Sequence, residues 1–195
     1  IGLNIYINQI GIKEWINIKD ISFGLKRWIL IGAISKSAIW ILQNWLVYAM
    51  LGYTPVSALL HSSTLVCGGV IMLIKYGLEN DPLLIILGLF TVISSSISSI
   101  KQNDLKKIIA LSTNSQIGIV TISIGLGGID QSYSHIISHG LLKAYIFVEL
   151  GKNIKYDSNN QNINTLIHPI KNEIVKLFLL AITAYPYLLI YLTKE

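Results

Sequence analysis

Six stretches of this 195-residue chain are apolar for close to the length that crosses a bilayer, which is about 20 residues at a helical rise of about 1.5 Å per residue. They run from about Arg27 to Tyr48, Pro55 to Tyr76, Asp81-Pro82 to Ile100, Asp104 to Leu126, Ser132 to Leu150 and Lys171 to Thr193. In hydrocarbon every backbone N–H and C=O needs an internal partner, so such runs fold as helices. The pattern predicts an all-α membrane protein with about six transmembrane helices. Connections such as Gly77-Leu-Glu-Asn80 and Gly127-Gly-Ile-Asp130 are short, which makes neighbouring helices antiparallel. The exception is the polar, turn-rich stretch from Lys152 to Pro169, with Asp157-Ser-Asn-Asn-Gln-Asn162, which reads as a flexible loop. The expected division is a polar N-terminal segment over 1–26, a five-helix bundle over 27–151, a loop over 152–170 and a C-terminal helix over 171–195.

Composition agrees with this class. The chain is 52% hydrophobic and only 13% charged, with a mean hydropathy of +0.59, too apolar for an ordinary soluble domain. Its net charge of +5 comes mostly from segment ends. That suits anionic lipid surfaces rather than nucleic acid, for which no basic patch with aromatic stacking platforms is present. The single cysteine, Cys67, stands beside Gly68 and Gly69 and reads as a small packing residue. Residues 1–26 scatter Lys13, Glu14, Lys19, Asp20 and Lys26 among apolar residues, which reads as a surface segment with no cleavable signal peptide. The first residue is Ile, which points to an alternative start codon, to processing or to a missing beginning. Heavy use of Ile, Asn, Lys and Tyr suits an A+T-rich genome such as that of an organelle.

Polar groups inside the apolar runs are where chemistry is expected, because they are costly in a membrane. In the second run Thr54 reads as an N-cap and Pro55 as the first helical residue, and Ser57, His61, Thr64 and Gly68 recur on one face. The first run carries Lys36 on a face with Trp40 and Gln43, too deep to reach the interface easily. A lysine there can gain and lose a proton when a partner moves, but no carboxylate within its own span can serve, so the partner must come from elsewhere. In the fourth run Asp104 suits a helix N-terminus, Lys106 and Thr113 share a face with Gln116 nearby, and Lys107 points to the interface. Spacing leaves two readings of Asp104 and Lys106 open: capping with lipid contact, or a proton path. In the fifth, His135, His139 and Lys143 form one i, i+4, i+8 stripe, with Glu149 on nearly the same side. A metal site lacks a third ligand and would meet the lysine, so a proton relay fits better. In the sixth, Pro186 leaves the carbonyl of Ile182 unpaired and breaks the helix. Spacing alone reads Lys194 and Glu195 as a charged end at the interface. No phosphate loop, Cys/His cluster or Ser/His/Asp arrangement is present, and nothing holds a redox cofactor. The residues thus define a polar axis of Lys36, His61, Lys106, His135, His139 and Lys143, suited to moving protons or cations.

Four strings carry a resemblance: Ser35-Lys-Ser-Ala38, Thr54-Pro-Val-Ser-Ala-Leu-Leu-His-Ser-Ser-Thr64, Gln102-Asn-Asp-Leu-Lys-Lys-Ile-Ile-Ala-Leu-Ser-Thr113 with Ser115-Gln-Ile-Gly118, and His135-Ile-Ile-Ser-His-Gly-Leu-Leu-Lys143. From about Arg27 to the end, the chain resembles the chain 5 family of NADH-ubiquinone oxidoreductase, the antiporter-like membrane subunits of respiratory complex I. The second string is the most specific. The chain is similar to the seventh to twelfth helices of that family. The resemblance implies an antiporter-like half-channel fragment in the mitochondrial inner membrane, part of a proton-pumping NADH:ubiquinone reductase. The lysine of the family's broken seventh helix falls on Lys36, its eighth-helix histidine on His61, and the pair and lysine of its eleventh helix on His135, His139 and Lys143. Pro186, Lys194 and Glu195 keep the spacing of the broken twelfth helix, which makes Lys194 similar to the exit-side lysine.

Four positions depart from the family pattern. Pro-Trp-Leu-Pro is Asn44-Trp-Leu-Val47 here, Gly-Pro-Thr-Pro is Gly52-Tyr-Thr-Pro55, and Glu149 replaces a small or apolar residue. The helix whose glutamate would pair with Lys36 is absent, so the expectation is a split subunit completed by separate chains. The resemblance further implies partners among the other membrane-arm subunits and lipid, and no cofactor in this chain, with NAD, FMN, iron–sulfur and ubiquinone chemistry elsewhere in the complex. Two other readings stay open: a cation/proton antiporter subunit of the related multisubunit family, and a structural membrane-arm fragment that no longer pumps.

Overall fold

The computed structural model describes residues 23–78, 80–156 and 161–162. The expected sixth span, Lys194 and nearly all of the 1–26 segment lie outside them. The described part is a bundle of helices: α1 (Phe23–Lys36), α2 (Asn44–Tyr48), α3 (Thr54–Leu59), α4 (Leu65–Lys75), α5 (Pro82–Ile100), α6 (Leu105–Gly125) and α7 (Ile129–Tyr156). Trp40–Gln43 and Ala49–Leu51 are 3-10 turns, and Leu60–Thr64 is a π turn that joins α3 to α4. Of these helices, Pro82–Ile100 and Leu105–Gly125 are continuous, long and apolar enough to cross a membrane. The expected total of about six spans includes one outside the described residues, and these two are the continuous spans among them.

The first apolar run is not one continuous helix, as the resemblance to a broken seventh helix implied. It is broken between Lys36 and Trp40, where Ala38 and Trp40 take φ of 56° and 52°. Positive φ crowds Cβ against the backbone, and a break at membrane depth needs partners for the freed polar groups. Two are met directly: the Trp40 N–H donates to Thr91 Oγ1 of α5 (3.0 Å), and the Ser35 carbonyl accepts from Trp45 Nε1 of α2 (3.3 Å); Ser37 Oγ donates to the buried Val66 carbonyl (2.7 Å), which ties the break to α4.

The second run keeps one helical path but changes its winding. Tyr53, not Thr54, is the flanking residue, and no side chain caps this start. The π turn then moves the register, because its i→i+5 bonds add a residue to one turn. Ser57 and His61 are buried as the spacing predicts, but Thr64 is exposed and its hydroxyl donates to the Leu59 carbonyl five residues back (2.8 Å). The expected stripe through Thr64 does not survive this shift.

The later helices start where their sequences say. Asp81 caps α5, its Oδ1 accepting from the Leu83 N–H (3.0 Å) with Pro82 at the first helical position, and its Oδ2 meets Arg27 at 3.1 Å. Asp104 caps α6 by accepting from the Lys106 N–H (3.1 Å). α5 and α6 form a close antiparallel hairpin because small residues face each other. A Cβ on Gly88 would meet the Gly118 carbonyl and Ile122, and one on Gly118 would meet the Gly88 carbonyl and Val92. Gly69 lets α4 approach α1 in the same way, against the Ala33 carbonyl and Ser37 Oγ. α7 continues past the expected end of the fifth span to Tyr156 and packs on α3, the π turn and α6. The main apolar core lies among α1, α4, α5 and α6, with Leu30, Ala33, Val66, Val70, Leu84, Ile117 and Ile124 in its centre.

Candidate functional site

The site is built along the line where α7 meets α6 and the π turn. α7 has no break between His135 and Phe147, so residues four apart stack on one side. His135, His139, Lys143 and Phe147 are all buried. Antiparallel packing then matches them to α6 in reverse order. Lys143 Nζ donates to the Ile109 carbonyl (3.3 Å) and makes a short contact with Ser112 Oγ. One turn further along α6, Gln116 Oε1 lies 3.0 Å from His135 Nε2. Between these two rungs stands His139, 5% exposed, with neither ring nitrogen hydrogen-bonded among the described residues. The rings of His135 and His139 are stacked with centroids 6.5 Å apart.

The π turn brings in His61. Its ring lies against Phe147 with centroids 5.6 Å apart, and it is 1% exposed. Neither of its ring nitrogens has a hydrogen-bond partner among the described residues. Lys143 is near enough for its charge to act on both His61 and His139. His61, His135, His139 and Lys143 therefore form one cluster, drawn from two helices far apart in sequence.

The other expected site residues stand apart from it. Lys106 is buried at the start of α6, and its Nζ donates to the Gly52 carbonyl (3.1 Å). It lies on the same α6 side as Ile109, one turn from the carbonyl that Lys143 bonds. Lys36 ends α1 immediately before the break; it is exposed, and its stem passes beside Gly68 of α4, about two helical turns from His61. Among the described residues no carboxylate pairs with Lys36. Glu149 does not close the stripe: it faces Lys152 at 3.2 Å. Lys107 pairs with Asp104 at 3.5 Å, near the surface. Lys194 is outside the described residues.

A second polar group was not singled out by spacing. Gln43, just after the break, meets Ser94, Ser95 and Asn114 of the α5–α6 hairpin, with Asn114 and Ser95 fully buried. The available signal was Thr91, Ser95 and Ser98, which recur at helical spacing along α5, with Gln102 just past its end.

Chemically, the main cluster offers imidazoles and an amine with neutral partners only. Such groups can pass a proton, since none is locked in an ion pair. Among the described residues no group of three or more His, Cys, Asp or Glu side chains is placed to hold a metal.

Buried titratable residues along apolar, glycine-packed helices with one interrupted strand of helix define an antiporter-like membrane domain. The chain belongs to the NADH:quinone oxidoreductase/Mrp antiporter transmembrane family, whose model matches residues 5–195. It is 41% identical over 170 residues to NADH-ubiquinone oxidoreductase chain 5 of Wickerhamomyces canadensis, covering 84% of this chain and 24% of that protein. To the chain of the same name from Chlamydomonas reinhardtii it is 42% identical over 137 residues, covering 69% of this chain and 25% of that one. The chain thus spans about a quarter of the length of these relatives. Among solved structures, one of the Mrp complex from Dietzia sp. DQ12-45-1b matches with a TM-score of 0.64 and 30% identity, covering 70% of this chain and 16% of that chain.

Proposed function

We propose that this chain is a proton-translocating component of the membrane arm of NADH:ubiquinone oxidoreductase in the mitochondrial inner membrane, assembled with other membrane-arm subunits. Its share of the work is translocation; no redox step runs through its side chains. The observation that carries the reading is the buried cluster in which, among the described residues, the four ring nitrogens of His61 and His139 have no hydrogen-bond partner beside Lys143. A proton entering near Lys36 would reach His61, pass through ordered water to His139 and Lys143, and leave toward His135, Lys106 or Lys194. The carboxylate that pairs with Lys36 comes from polypeptide outside the described residues, since Lys36 lies exposed on their surface.

The test is Lys143→Met in the assembled complex, reconstituted in sealed vesicles. Methionine keeps most of the apolar stem and removes the ammonium. Proton translocation per NADH oxidised is expected to fall by on the order of tenfold or more, the scale of losing a general acid or base, with the subunit content unchanged. Equal loss of assembly and translocation would make Lys143 structural and sink the reading.

A second reading, a subunit that exchanges cations for protons, is favoured by the likeness to the Mrp complex structure. Purification of the chain from its native membrane separates the two. NADH-oxidising partners support the first reading, and cation-transport partners alone support the second.

A further inference from the structure

Of the three imidazoles in the cluster, one is held. Both ring nitrogens of His61 and of His139 lack partners among the described residues, whereas His135 Nε2 lies 3.0 Å from Gln116 Oε1. An amide oxygen accepts and never donates. The proton of neutral His135 therefore sits on Nε2, and Nδ1 keeps the lone pair, because the bond made by one ring nitrogen sets the state of the other. No described residue bonds Nδ1. Lys143 is met in the same way. Ser112 Oγ donates its one proton to the Ile109 carbonyl (2.8 Å), so toward Lys143 Nζ it can only accept. Ser112 and Gln116 stand four apart on α6 and present oxygen acceptors to the two outer groups of the stripe. His139, between those groups, is met by no acceptor.

A proton that reaches His135 can bind only at Nδ1. The imidazolium so formed still donates from Nε2 to Gln116, now through a stronger, charge-assisted bond. Loss of the Nδ1 proton restores the starting state. Loss of the Nε2 proton instead would set the Nε2 lone pair against Gln116 Oε1, and the amide would have to turn over to offer its N–H. The titratable groups around His135 are His139 and Lys143 on its own helix and His61 of the π turn. α3 also packs on α7 and carries no titratable side chain. α6 brings the neutral Gln116 to this rung, while Lys106 and Lys107 lie at the start of that helix.

We propose that Gln116 is a positioning residue that keeps His135 in its Nε2–H form, so that His135 takes up and gives back a proton at Nδ1 alone and acts as a proton store at the end of the stripe, not as a passage through it. The role rests on the proton-translocation reading, which Lys143→Met tests by itself. A Lys143→Met complex that still translocates removes that reading, whereas the pH dependence of Gln116 variants bears on Gln116 alone. Gln116→Glu and Gln116→Met are made in the assembled complex in sealed vesicles, and translocation per NADH oxidised is followed across pH with subunit content measured alongside. Glutamate keeps an acceptor toward Nε2–H, has no N–H to turn toward the ring, and holds the imidazolium proton by its charge. Translocation by Gln116→Glu is expected to fall severalfold at neutral pH and to recover at higher pH. Its midpoint should move by about one to three pH units, the scale of an adjacent opposite charge. Methionine removes the acceptor, and the midpoint of Gln116→Met is expected to move the other way, toward acid. Loss in Gln116→Glu that recovers at no pH, with assembly intact, would mean that the amide must turn and the proton runs through the ring. An unmoved midpoint in both variants would make Gln116 a packing residue. Either result overturns the proposal. If Gln116→Glu does not assemble, Gln116→Met decides in its place: an acid shift supports the role, and an unmoved midpoint overturns it.

Discussion

His61 shows how a single buried group can be costly and useful at once. Its ring is almost fully enclosed, packs against Phe147 and has no hydrogen-bond partner among the described residues. Burial of an unpaired polar group lowers stability, so replacing it with an apolar side chain of similar size removes a cost instead of a bond. His61→Leu is therefore expected to leave the thermal stability of the assembled complex unchanged or slightly raised, while proton translocation falls. A melting temperature several degrees lower would mean that His61 holds the fold together through partners outside the described residues. The stripe of His135, His139 and Lys143 was legible in the sequence because α7 is uninterrupted there, and four-residue spacing on a regular helix fixes a common side. That Lys143 faces Ser112, and His135 faces Gln116, depends on how α6 lies against α7, which spacing within either helix does not carry.

At the level of elements, the legible features were local and the illegible ones were tertiary. The caps at Asp81 and Asp104 follow from a side chain two residues from the N–H it accepts. The break after Lys36 has no Pro or Gly at residues 37–40 to announce it, and only the resemblance to a broken seventh helix implied it; it persists because Thr91 and Trp45 satisfy the backbone there. The π turn is hidden in the same way, and it is what carried Thr64 off the expected face. The α5–α6 hairpin offers the cleanest test of element packing. Gly88 and Gly118 sit where a Cβ would run into the opposite backbone, which neither helix can yield without separating. Gly88→Leu is expected to cost about 1–3 kcal/mol and to lower the yield of assembled complex in native gels. Ile86→Leu, on the exposed side of the same helix, should leave that yield unchanged.

At the scale of the whole molecule, the polar residues divide into two kinds. His61, Lys106, His135, His139 and Lys143 are enclosed by the chain itself, whereas Lys36 is exposed on the surface that the described residues present. An uncovered lysine near mid-membrane costs about 3 kcal/mol on insertion scales, and a partner that brings a carboxylate can offset it. The same residue is thus a liability to the chain alone and an asset to the assembly. Lys36→Leu should separate these roles. Insertion of the isolated chain, measured by glycosylation mapping in microsomes, is expected to improve. Translocation by the assembled complex is expected to fall on the order of tenfold, the scale of a lost proton-transfer group. If insertion worsened instead, Lys36 would be anchoring the chain in the membrane interface, and the proposed entry beside the helix break would have no proton carrier.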